Sequence, residues 1–296
     1  MLTLHAIVKL SRWAEYVPFT VPLTLFGGLL AYRFAEDVSL DWRLFCVLIA
    51  NCLAVGYAFI INDIEDAEDD LSEPGRGARN AVASGELSKR AAWIVGLVAA
   101  LLALGLYALA GRVALLTGAG VVVLGHLYSW KPVRLKALPL LDILSHVLML
   151  SMLLLLAPYL VYHDSPREVW LFAASMTLIS AYGQLYNQAR DFDADRTAGL
   201  HNTASLLGKN LTQGLAYLSI AGAVVFLIGA VIVGSFPLWL AGVIVVTLPL
   251  AHFVGRGRDM RGDEATDAVG DIQVQFLALV NVLALVWLAY VLFANG

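Results

Sequence analysis

The sequence predicts an all-α, polytopic membrane protein of nine transmembrane helices around a central cavity. Three observations predict it. The 296 residues are 60% hydrophobic and only 14% charged, whereas a soluble domain carries roughly a quarter charged residues. Nine apolar stretches, at 14–34, 42–62, 91–110, 112–128, 139–162, 169–188, 213–234, 237–255 and 273–294, approach the ~20 residues that cross a hydrocarbon core. With those nine spans, 15 of the 19 Lys and Arg fall on the N-terminal side, and only Arg33, Arg43, Arg112 and Arg167 on the other. The positive-inside bias then places the N-terminus and the longer polar loops in the cytoplasm. The C-terminus is expected across the membrane, a cell or inner membrane.

Ahead of the first span, "MLTLHAIVKLSRWAEY" lacks a long apolar core and a small-residue cleavage site, which argues against a removed signal peptide. Leu2, Leu4, Ile7, Val8 and Leu10 against His5, Lys9 and Arg12 fit a short interfacial helix or a plain lead-in. Span two runs on into "NDIEDAEDD", and only Gly111 and Arg112 punctuate spans three and four. "LYSWKPVRLK" leads into span five, and span six runs into "YNQARDFDADRTAG". The whole reads as one domain, 1–296, with acidic loops at 62–90 and 190–210. Cys46 and Cys52 share one apolar stretch, so no disulfide framework is indicated. A formal net charge of −4 gives no reason to expect nucleic-acid binding.

The chemistry is expected at the two acidic helix ends. Asn62, Asp66 and Asp70 are spaced i, i+4, i+8 and stack on one face of a continuing helix. Asp191 and Asp195 repeat the i, i+4 spacing, with Asp193 pointing elsewhere. Carboxylates this dense repel one another and raise each other's pKa unless cations sit among them. Oxygen ligands without Cys or an obligatory His suit Mg²⁺, which bridges a few carboxylates to substrate phosphates. A divalent cation and a phosphorylated ligand would therefore complete the charge balance. Basic residues follow both clusters: Arg76, Arg79, Lys131, Arg134, Lys136, Arg190 and Arg196. A diphosphate would be gripped by metal together with Arg or Lys. Arg134 and Lys136 are favoured, because Tyr128, Pro132 and Pro139 frame their loop. His146, with Asp142 at i−4, reads either as half of a hydrogen-bonded pair inside span five or as a contact for an acceptor.

These motifs resemble the UbiA superfamily of intramembrane prenyltransferases. "NDIEDAEDD" fits its N-D-x-x-D-x-x-x-D pattern through Asn62, Asp63, Asp66 and Asp70, and "DFDAD" fits its D-x-x-x-D through Asp191 and Asp195. "NAVASGELS" and "GLHNTASLLG" resemble the segments that follow each motif. There are two departures. Lys131 follows Tyr128 one residue earlier than in the common Y-x-x-x-K, so that "LYSWKPVRLK" is similar to the branch that acts on chlorophyllide, carotenoids and other lipid-like acceptors. "ARNAVASG" lacks the usual Arg-Pro, with Arg79 one position away.

The resemblance implies a Mg²⁺-dependent transferase that moves an isoprenyl group from an isoprenyl diphosphate to a hydrophobic, lipid-like or polycyclic acceptor. Asn62, Asp66, Asp70, Asp191 and Asp195 would hold two Mg²⁺ ions. Asp66, Asp191, Arg134 and Lys136 would carry the catalysis, and Arg76, Arg79, Tyr128, Lys131, Tyr186 and Arg190 would contact substrate. Tyr57, Phe59, Tyr128, Trp130, Tyr182 and Tyr186 lie near enough in sequence to face an allylic cation, with the prenyl tail in a groove open to membrane lipid. Two alternatives stand beside this reading. One is a terpene cyclase of the same superfamily that needs no acceptor. The other, of a different class, is a transporter or binding protein for an anionic lipid.

Overall fold

A computed structural model of the chain describes residues 4–35, 38–71, 74–197, 199–251, 253–254, 257–259, 264–265, 270 and 273–294. Among them the structure is helical, apart from one isolated bridge between Arg258 and Glu264. The long helices are α2 (Trp13–Phe34), α3 (Trp42–Asp70), α5 (Lys89–Ala110), α6 (Arg112–Ser129), α9 (Trp170–Arg190), α12 (Lys209–Ile232) and α14 (Gln273–Ala294). The fifth expected span is α7 (Leu141–Val147), a π turn (Leu148–Met152) and α8 (Leu153–Tyr162), stacked end to end. Short helices cap one end of the bundle: α1 (Leu4–Ser11), α4 (Pro74–Arg79), α10 (Phe192–Thr197) and α11 (Thr203–Leu207). The eighth expected span is α13 (Leu240–Ala251).

Among the described residues seven helical segments are long and apolar enough to cross a membrane, so the expected nine are not all met there by length and composition. The sixth expected span, α9, has the length, but its last turns carry Gln184, Asn187, Gln188 and Arg190. In the eighth, α13 has only 12 residues, or ~18 Å at 1.5 Å per residue. Span two is longer than expected. Its helix runs unbroken for 29 residues through the acidic motif to Asp70, after Asp41 caps its start by accepting from Arg43 N at 3.0 Å.

Two prolines and two asparagines explain how the bundle closes on itself. Proline has no N–H, so Pro22 frees the Pro18 carbonyl and Pro158 frees the Leu154 carbonyl. Unpaired carbonyls are costly in an apolar bundle. Asn281 of α14 donates Nδ2 to Pro18 O at 2.7 Å, and Asn51 of α3 donates Nδ2 to Leu154 O at 3.0 Å. Asn51 is fully buried and is itself held, donating to Thr24 Oγ1 and accepting from the Tyr107 hydroxyl. Beside Pro158 α2 comes close, because Gly27 has no side chain. A Cβ there would lie 2.2 Å from the Leu155 carbonyl oxygen.

Asn51→Leu should therefore lower thermal stability, since each buried group it orphans costs about 1–3 kcal/mol. Asn281→Leu should do so less severely, as Asn281 lies at a partly buried site and Pro18 O is the single freed carbonyl. Melting temperatures in detergent check this, and an unchanged value for Asn51→Leu would show that the Leu154 carbonyl finds another donor.

Candidate active site

The α3 helix delivers its acids to one wall of a cavity of about 940 Å³. Asn62, Asp66 and Asp70 all line it, as the i, i+4, i+8 spacing requires. Asp63 sits a quarter-turn round, buried, and pairs with Arg12 at 3.1 Å. Arg12 adopts a left-handed backbone (φ 48°) between α1 and α2, and its guanidinium also grips Glu15 and lies 5.1 Å from the Phe59 ring centroid. Burial opposes the Arg12 charge, but the two carboxylates outweigh it and raise the guanidinium above its ordinary pKa.

The loop between α6 and α7 supplies the cations. Trp130 O accepts from Val133 N at 3.0 Å and from Arg134 N at 2.7 Å, a tight reversal that turns the chain back over α3. Arg134 then takes a left-handed conformation (φ 45°), a strain of the kind that gathers at functional sites. Its Nη2 donates to Asp66 at 3.2 Å and to Asp69 at 2.8 Å. Its Nε is buried with no acceptor among the described residues, and the residue lines the cavity. Lys136 Nζ donates to Asn62 Oδ1 at 3.0 Å and makes a very short bond to Asp66. Ser129 completes the group, donating to Asn62 Oδ1 at 2.9 Å.

Facing this wall, the end of α9 brings Asp191 and its neighbours to the same cavity. The expected helix does not continue through the second motif. It breaks at Asp191 and restarts as α10, although Asp195 N still donates to Asp191 O at 2.9 Å, so both acids keep their common side. Asp193 points away, with its side chain 87% exposed. Arg190 pairs with Asp191 at 3.0 Å and with buried Asp259. Burial disfavours its charge, yet these two carboxylates hold it above the usual arginine value. Away from the acidic helix ends the walls turn mostly apolar, with Phe26, Met149, Met176, Leu227 and Phe276 among the lining residues. The π turn of span five contributes Met149, Leu150 and Ser151 to this lining.

The comparisons with known proteins follow this geometry. A family model described as the UbiA prenyltransferase family matches residues 20–280. The chain belongs to that family. A UbiA homologue from Archaeoglobus fulgidus, solved bound to GPP and Mg²⁺, is similar with a TM-score of 0.72 at 19% identity, over 97% of this chain and 98% of that one. The apo UbiA homologue from Aeropyrum pernix K1 has a TM-score of 0.70 at 20% identity, over 95% and 98%. A lycopene elongase/hydratase of Haloferax volcanii is 32% identical over 162 residues, which span 53% of this chain and half of that protein.

Within this UbiA fold several expectations are corrected. Lys131 does not face the cavity: its backbone N–H donates to Glu65 and its Nζ reaches exposed Glu68 at 3.3 Å. Tyr186 is not a wall either, but a buried support 5.9 Å from Tyr182 and 5.9 Å from the Arg190 guanidinium. Of the aromatic candidates, Phe59, Tyr128 and Tyr182 line the cavity, whereas Tyr57, Trp130 and Tyr186 do not. Tyr128 accepts from Gln184 Nε2 at 2.8 Å. Arg79 lines the cavity; the side chain of Arg76 lies outside the described residues. Asp142 does not pair with His146. It is wholly buried and accepts from Gln188 Nε2, Thr203 N and Thr203 Oγ1, which ties span five to the second motif, while His146 lines the cavity near Tyr128.

The acids of the first motif meet donors from the chain itself: Arg12, Lys131, Arg134, Lys136 and Asn80. Among the described residues no three His, Cys, Asp or Glu side chains converge on one point. The donor set, carboxylates and one amide opposed across a cavity, still fits a hard cation whose coordination a diphosphate completes.

Proposed function

We propose that the chain transfers an isoprenyl group from an isoprenyl diphosphate to a hydrophobic acceptor. One observation carries this reading: two carboxylate-bearing helix ends and the Arg134–Lys136 loop share one cavity whose remaining walls are mostly apolar. An anionic head would lie among the polar groups, and a prenyl tail along Phe26, Met149 and Met176. The A. fulgidus homologue of the same fold, solved with GPP and Mg²⁺, supports that donor class. The partial match to a lycopene elongase/hydratase supports a long, lipid-like acceptor.

Asn62, Asp66, Asp70, Asp191 and Asp195 are the residues that would hold Mg²⁺. When bound, the cation would neutralise charge developing on the departing diphosphate. Arg134 and Lys136, which both line the cavity, would grip the diphosphate oxygens and favour its departure. Phe59, Tyr128 and Tyr182 would present aromatic faces to the allylic cation left behind. The apolar walls keep water from that cation until an acceptor double bond or nucleophile captures it.

The direct test is to incubate membranes holding the protein with labelled prenyl diphosphates and extract the lipids. A labelled, acceptor-derived product is expected; label recovered solely as unreacted donor would refute the proposal. We also propose that the acidic helix ends face the cytoplasm. In a background lacking Cys46 and Cys52, cysteines at exposed Lys131 and Asp193 should label from the cytoplasmic side, and one at Leu238, which is 84% exposed, solely from outside. Labelling of 131 and 193 from opposite faces would make a shared site impossible.

A further inference from the structure

We infer that Asn80 and Asn202 are a matched pair of positioning residues, each orienting the last carboxylate of one acidic motif. Asn80 donates Nδ2 to Asp70 Oδ2 at 2.8 Å, and Asn202 donates Nδ2 to Asp195 Oδ2 at 2.9 Å. Both amides are only 2% exposed. Their other ends are pinned by backbone: Asn80 Oδ1 accepts from Val82 N at 2.9 Å and Ala83 N at 3.1 Å, and Asn202 Oδ1 accepts from Ser205 N at 2.9 Å. Because oxygen must face those N–H groups, each amide can present only its NH₂ to the carboxylate; a flipped amide would set oxygen against oxygen.

Asp66 sits within α3 and is held by Arg134 and Lys136. Asp70 is the last residue of that helix, and Asp195 lies in a six-residue helix beyond the break at Asp191. A carboxylate's terminal torsion is broad, and a fixed amide donor narrows it. An amide does so without adding charge to a site already crowded with ions. The construction occurs twice, with Asn80 10 residues after Asp70 and Asn202 7 residues after Asp195. Local turn formation alone does not require it. Ser and Asp cap such turns as well as Asn does, but neither carries an amide donor that reaches the carboxylate.

This inference rests on the proposed metal-diphosphate site, and its test separates the two. Full-length protein in detergent is titrated with Mn²⁺, followed by electron paramagnetic resonance, for wild type, Asn80→Ser and Asn202→Ser. Serine keeps the cap and loses the donor. Each variant should bind Mn²⁺ about 10-fold or more weakly, the usual cost of removing a partner that orients a metal ligand. Prenyl transfer should need correspondingly more Mg²⁺ while kcat at saturating Mg²⁺ recovers, and melting temperatures should stay within a few degrees. Wild-type Mn²⁺ affinity in both serine variants would overturn the positioning role while leaving the site reading intact. Absence of Mn²⁺ binding by wild type would overturn both. Should Asn80→Ser fail to fold, Asn202→Ser, which breaks one bond to a carboxylate and keeps the turn, decides alone.

Discussion

Asp66→Asn should lower prenyl transfer at least ~100-fold, and Asp191→Asn should do the same, the scale seen when a comparable electrostatic stabiliser is removed. Asp66 is the hub of the α3 wall. It accepts from Arg134 at 3.2 Å and from Lys136, and it lines the cavity midway between Asn62 and Asp70. Its amide would still accept from one cation but would remove the charge that a divalent ion needs. Asp191 makes the same contribution from the opposite wall, where Arg190 anchors it at 3.0 Å. Chelation with EDTA should abolish wild-type activity, and Mg²⁺ should restore it. Full activity of either variant with chelator present would rule out a site built from both acidic ends.

Arg134→Gln and Lys136→Gln should each reduce turnover about 10- to 100-fold, in line with the ~1.5–3 kcal/mol assigned to a hydrogen bond with a charged group. Their side chains are only 27% and 10% exposed, so a diphosphate beside them would feel their charge at a dielectric well below that of water. Cations that merely obeyed the positive-inside bias would lose little, since many others remain on that face. The apparent KM for donor should rise and diphosphate release should slow, with folded yield nearly unchanged. Unchanged kinetics in both would remove these residues from the site. The same assay separates transferase from cyclase. A transferase releases diphosphate slowly until a lipid extract supplies the acceptor. Rapid release from donor alone, with a cyclic product, would replace the transferase reading.

What was legible in the sequence was whatever follows a helical period or a hydropathy window. Asn62, Asp66 and Asp70 share a wall because α3 stays helical to its end. Arg134 and Lys136 were found from the prolines around their loop. Lys131 was misplaced because its direction depends on a reversal at Trp130 that adjacency to Tyr128 does not reveal. Tyr182 and Tyr186 are one turn apart on α9. Which of them meets the cavity depends on how α9 is rotated against α12, a matter of packing. The two short or polar spans fell outside the simple count because α9 carries amides at its cavity end and α13 has just 12 residues.

By itself the sequence determined that this chain enters a membrane as a bundle of helices and brings acids to two helix ends, because burial of apolar stretches and the 3.6-residue period are local properties. The tertiary structure alone decided which cation meets which acid. Arg12 reaches Asp63 across 51 positions, Arg134 reaches Asp66 across 68, and Asn281 caps the Pro18 carbonyl across 263. Such pairings depend on loop reversals and helix rotations set by packing over the whole bundle, and a polar side chain in a loop carries no periodic mark of the partner it will find.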